Sequence, residues 1–156
     1  MPPILNRTLK FVALVVVGLI VYSLWYGIKA DRYDETVVPY LELTLSKLTS
    51  WQYAQLKPLL SPQAQDEFET EEGQAVYRLF SKLGRLESSG TPEYLGDRSE
   101  TSKALGDIEV VAYQVPLQFE SGPGIIKIHL ASDGERYYIH HFGIRSEIFA
   151  AETIPD

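Results

Sequence analysis

Residues 111–144 read VAYQVPLQFESGPGIIKIHLASDGERYYIHHFGI, and the period of their apolar positions decides the fold. Over residues 108–119 the apolar residues alternate, so Val111, Tyr113, Val115, Leu117 and Phe119 fall on one face of a strand. Residues 120–124 turn the chain into a second strand, whose core face is Ile126, Ile128 and Leu130. Asp133-Gly134 suits a two-residue hairpin turn, where both central residues need positive φ. Such a turn sets Leu130 opposite Tyr137, Ile128 opposite Ile139, His129 opposite Tyr138 and Lys127 opposite His140. Carried onward, that register leaves Phe142 and Ile144 off the core, so a bulge is expected between 140 and 143.

Upstream, residues 85–99 supply a further strand or two at the sheet edge, interrupted by Gly90, Pro92 and Gly96. Before them the period becomes helical. Val37, Val38, Leu41, Leu45 and Leu48 form one stripe of a helix over 36–48, with Pro39 in its first turn. Ser50 is the expected N-cap of a short helix carrying Trp51, Ala54 and Leu56, and Ser61-Pro62 opens another through Phe68. A third piece over 71–83 is expected to bury Ala75, Val76, Leu79, Phe80 and Leu83 and to stop at Gly84. Helices first and a meander afterwards give an α+β domain: about three helices packed on a curved antiparallel sheet.

Further out, residues 11–28, FVALVVVGLIVYSLWYGI, hold no charge. As a helix they extend about 27 Å, close to the hydrocarbon thickness of a bilayer. Lys10 and Lys29 bracket the run, and Tyr22, Trp25 and Tyr26 gather where an aromatic belt would sit. The charge balance places the N-terminus in the cytoplasm, with an uncleaved span favoured over a signal peptide. The expected organisation is a cytoplasmic 1–10, a transmembrane helix 11–28 in contact with lipid, a linker 29–35, a soluble domain 36–148 and a frayed tail 149–156. The linker is expected because the ring of Pro39 opposes an unbroken helix through the carbonyl of Glu35. In a bacterial cell this is a single-pass inner-membrane protein with a periplasmic or extracytoplasmic domain.

The chain has no cysteine, which removes disulfides, thiol chemistry and a lipoprotein anchor. Residues 31–156 hold 11 Lys plus Arg against all 21 acids, a formal charge of −10. Such a surface repels nucleic acid.

The order of elements and the ending over 111–144 resemble the nuclear transport factor 2-like superfamily, whose domains wrap about three N-terminal helices in a cone of bent strands. Tyr137 and Ile139 stand where many members carry tryptophan and isoleucine, and Phe142 and Ile144 where they carry an aromatic and an aliphatic residue. The resemblance implies a cone that can hold a pocket, as in relatives resembling ketosteroid isomerase, or a sheet face that makes homodimers or docks other subunits. In layout the chain is similar to the bitopic core component of type IV secretion systems.

Glu109 and Tyr113 share a strand face, so a carboxylate base beside a phenol is one catalytic arrangement. Tyr113, Tyr137, His129, His140 and His141 are candidates for a pocket or an interface. In the expected register the histidines do not converge, Lys127 lies beside them, and no metal site is expected. Gly122-Pro123-Gly124 opens no helix and reads as a turn rather than a phosphate loop. No cofactor is called for. The outward sheet face, with Ile108, Val110, Ala112, Gln114, Gln118, Ile125, His129 and Tyr138, is less polar than a solvated face. The function expected is a non-catalytic interaction or assembly module of an envelope complex, with protein partners or a homo-oligomer in the membrane. The alternative is a small-ligand binder or isomerase working in the cone interior.

Overall fold

The structure is a computed structural model that describes residues 3–151, with side chains described over 7–150. Its elements are α1 (Pro3–Leu48), α2 (Tyr53–Leu56), a 3₁₀ turn (Lys57–Leu59), α3 (Pro62–Phe68), α4 (Glu71–Ser81), five strands and α5 (Glu147–Ala151). The strands are β1 (Leu86–Ser89), β2 (Glu93–Ser102), β3 (Gly106–Phe119), β4 (Gly122–Ser132) and β5 (Tyr137–Arg145). The chain separates into two compact units with a boundary between Thr36 and Val37.

The first unit holds the apolar run. Within α1, the most apolar eighteen-residue window has a mean hydropathy of 2.3 and none of it is buried. Among the described residues it is one helix long and apolar enough to cross a membrane, as a span or as a signal sequence. Near its end Tyr22 and Tyr26 stack at 6.4 Å, and the Lys29 ammonium lies 4.5 Å from the Trp25 ring centre. The break expected over 29–35 is absent: these residues are helical, and Pro39 is accommodated inside α1. The helix forgoes one backbone hydrogen bond there instead of ending.

The second unit is an α+β domain with an open, five-stranded antiparallel sheet, ordered β1-β3-β4-β5, with β2 also paired to β3. The stripe Val37, Leu41, Leu45 and Leu48 is buried, as the spacing predicts. So are Val111, Tyr113, Val115, Leu117 and Phe119 on β3 and Ile126, Ile128 and Leu130 on β4. Residues 85–99 do supply edge strands, β1 and part of β2, with shifted register on either side of Gly90.

Four local expectations are corrected. Trp51 precedes α2 rather than lying in it, with a left-handed φ of 58°; the N-cap is Gln52, and Ser50 instead accepts from the Gln52 N–H. On α4 the buried residues are Tyr77 and Phe80, while Ala75 and Val76 are exposed, because the core face includes a tyrosine whose hydroxyl donates to the Leu48 carbonyl at 3.0 Å. The β4–β5 turn is longer than two residues: Asp133 Oδ1 accepts from the N–H groups of Glu135 and Arg136 at 2.9 and 3.0 Å. Finally, residues 149–151 of the expected tail are not frayed but complete α5, whose Phe149 ring lies 5.9 Å from Phe80; residues 152–156 of the expected tail lie outside the described residues.

The longer turn moves the register. Leu130 pairs with Ile139, Ala131 with Tyr138 and Ser132 with Tyr137. One extra residue, His140, then bulges out, and beyond it His129 pairs with His141, Ile128 with Phe142 and Ile126 with Ile144. The bulge thus falls within the expected stretch and puts Phe142 and Ile144 into the core.

Candidate functional site

The interior between helices and sheet is filled by rings. Trp51 lies 5.7 Å from Tyr77 and 6.1 Å from Phe119; Phe68 lies 5.9 Å from Tyr77 and 5.4 Å from Phe142; Phe80 lies 6.1 Å from Phe142. Side chains from α3, α4, β3, β5 and the α1–α2 connection therefore occupy the space that a ligand chamber would need. Burial pushes the Tyr77 hydroxyl up to about 12.

Glu109 and Tyr113 share the inner face of β3 but not an environment. Glu109 is exposed at the strand's end, between Ser99 and Ser132. Tyr113 is fully buried, its ring edge-on to Tyr94 at 5.8 Å. Five clefts among the described residues, including ones of about 520, 430 and 360 Å³, are lined by neither. Tyr137 is half-buried, with its ring 5.7 Å from Tyr40.

The three histidines take different places. His140, the bulge residue, is buried, and its Nδ1 shares a hydrogen bond of 3.1 Å with Ser61 Oγ. Its Nε2 stands 3.4 Å from a Glu100 carboxylate oxygen. A carboxylate only accepts, so Nε2 carries the proton, and in the neutral ring Nδ1 accepts from the serine hydroxyl. Ser61 Oγ in turn caps α3 by accepting from the Ala64 N–H at 3.2 Å, and the Ser61 N–H donates to the Ile139 carbonyl. Arg98 holds the Glu100 carboxyl below the usual range, with burial opposing. Serine, histidine and carboxylate in this order resemble an acyl-transfer triad, but Ser61 is 1 % exposed and its oxygen already serves a helix cap. The arrangement is a clasp joining α3, β2 and β5.

The clasp closes because the β2–β3 hairpin curls over the outward face. Ile108, Val110 and Ala131 are buried there, with Leu105 from the hairpin packed on them, and Tyr138 is buried too. Of the eight residues expected on the outward face, three, Ile108, Val110 and Tyr138, are thus covered by the chain itself. What remains open is Pro116, Gln118 and the 44 % exposed Ile125 beside the 520 Å³ cleft, and a second area around Lys127, His129 and His141. There His129 and His141 stand with ring centres 5.8 Å apart and planes at 73°. Burial first, then Arg98 and the neighbouring His141, Lys127 and His140, lower the His129 pKa, which favours its neutral ring.

Among the described residues no group of three or more His, Cys, Asp or Glu is placed to hold a metal ion. Sequence reasoning missed Ser61 and Glu100 as partners of His140; the only signal was a serine that already had a capping role. Comparison of the chain with protein-family models, with curated proteins and with solved structures finds no match.

Proposed function

We propose that the protein is a single-pass membrane protein whose domain lies outside the cytoplasm and acts as a non-catalytic interaction or assembly module of an envelope complex. The observation that carries this reading is the ring-filled interior: Trp51, Phe68, Tyr77, Phe80, Phe119 and Phe142 occupy the space between helices and sheet where a substrate would bind. The exposed apolar surface of residues 11–28, with Lys29 over Trp25 at one end, supports a span. The open part of the sheet face around Ile125 supports protein contact, since exposed apolar patches on small domains tend to be functional. Helices followed by a bulged antiparallel meander support the nuclear transport factor 2-like fold, in a non-enzymatic use.

The test is purification from membranes in mild detergent at native expression levels. The protein is expected in a complex larger than its 17.6 kDa chain, with membrane proteins that co-elute. Recovery of a lone monomer overturns the assembly reading. A C-terminal reporter active only outside the cytoplasm tests the topology.

A further inference from the structure

We propose that His129 and His141 form a two-histidine binding site for a borderline divalent transition ion, Zn²⁺ or Cu²⁺, on the outward face of the sheet. The His140 bulge makes the pair, because it advances the register by one residue and brings His141 directly across from His129. Directly opposed residues of an antiparallel pair hold their Cβ atoms about 4.5–5.5 Å apart, close enough for two imidazoles to share a ligand. An imidazole nitrogen binds such an ion at about 2.0–2.1 Å, which puts the ring centre roughly 3.2 Å from the metal. Two rings on one ion therefore have centres at most about 6.4 Å apart. A tetrahedral angle between the two nitrogens brings the centres to about 5.2 Å, so from the observed 5.8 Å the rings need to approach by roughly 0.6 Å, a movement that rotation of the two side chains would supply.

Both ligands sit on paired strands, and β4 is held on both sides, by β3 and β5. Asp97 lines the same small cleft as His129, but its Oδ1 already accepts from the Tyr94 hydroxyl and it does not join the two histidines as a third ligand. Water completes the coordination. The opposing influence is charge, because Arg98 and Lys127 line that cleft too. Arg98 is paired with Glu100 yet still acts on His129, so both Arg98 and Lys127 weaken the site, and Lys127 is the one without a carboxylate beside it among the ion pairs of the described residues. An anion held by Lys127 and Arg98 is the rival occupant, and the two readings assign Lys127 opposite effects.

The experiment titrates the full chain in detergent with CuCl₂ and ZnSO₄. One Cu²⁺ per chain is expected, with an electron paramagnetic resonance spectrum coupled to two imidazole nitrogens. His129→Gln and His141→Gln should each bind as weakly as the double variant, while Lys127→Gln tightens binding by roughly threefold or more. His141 and Lys127 are exposed, so their variants fold. Failure to retain one equivalent, a spectrum unchanged in either histidine variant, or weaker binding by Lys127→Gln overturns the proposal.

Discussion

The indole N–H of Trp51 donates to the carbonyl oxygen of Gly84 across 2.8 Å, linking two residues that both have left-handed backbones, at φ 58° and 77°. The end of α1 and the end of α4 are thereby fastened where each chain reverses. Trp51→Phe keeps a ring and removes the donor, and is expected to cost about 1 kcal/mol in thermal or denaturant unfolding of the full chain. Gly84→Ala should cost more. A Cβ there meets Glu120 Oε2 at 2.7 Å, that oxygen is held by the Arg85 N–H, and the left-handed backbone adds about 1 kcal/mol.

Ser61 and His140 are 79 positions apart and share one hydrogen bond. Ser61→Ala removes a helix cap and a partner of a buried ring, so a loss of about 1–3 kcal/mol is expected. His140→Phe removes the other end. A double-mutant cycle should return a coupling of about 0.5–3 kcal/mol. Strict additivity of the two substitutions would show that the clasp does not act as a unit.

Tyr77 gives the domain an alkaline limit. Its folded pKa of about 12 lies above the unfolded value of 10.0. Between those values the folded chain keeps a proton that the unfolded chain has lost, so stability is full below pH 10 and falls as pH rises through the window. The loss is about 2–3 kcal/mol once both states are ionised. In Tyr77→Phe that contribution is absent, so its unfolding midpoint should decline less between pH 9 and 12. It should also start about 1 kcal/mol lower at neutral pH, for want of the bond to Leu48.

Phe142 and Val76 test where the core lies. Phe142→Ala opens a void between Phe68 and Phe80 and should cost about 3–5 kcal/mol. Val76→Ser, at a side chain 47 % exposed, should stay within about 0.5 kcal/mol. A large effect at Val76 would instead mark that face of α4 as a contact surface.

The strict alternation of Val111 to Phe119 and the 37-41-45-48 stripe were readable in the sequence because each face is uniformly apolar over several periods. The helix start at Ser61-Pro62 was readable because capping is local. The face of α4 was not, since Tyr77 carries a hydroxyl and Val76 does not, and periodicity weighs only polarity. The turn at Asp133 was misjudged by length: the dipeptide Asp133-Gly134 favours a tight turn, but the carboxylate gathers two N–H groups further on and widens it. That shift changed the partners of all three histidines. Pairing of Ser61, Glu100 and His140 depends on the curl of the hairpin, a property of the whole sheet that no short window contains.

The clasp also bears on the order in which the domain matures during synthesis. Ser61 leaves the ribosome long before His140, and α3 has its cap from the start, yet its outer bonds, to the Ile139 carbonyl and the His140 ring, come from the last strand made. Phe68 likewise waits for Phe142. Contacts so distant along the chain close slowly. Until β5 docks, the helices expose an unsealed aromatic surface, and a chain that ends before residue 140 carries that surface as a ready substrate for quality-control proteases.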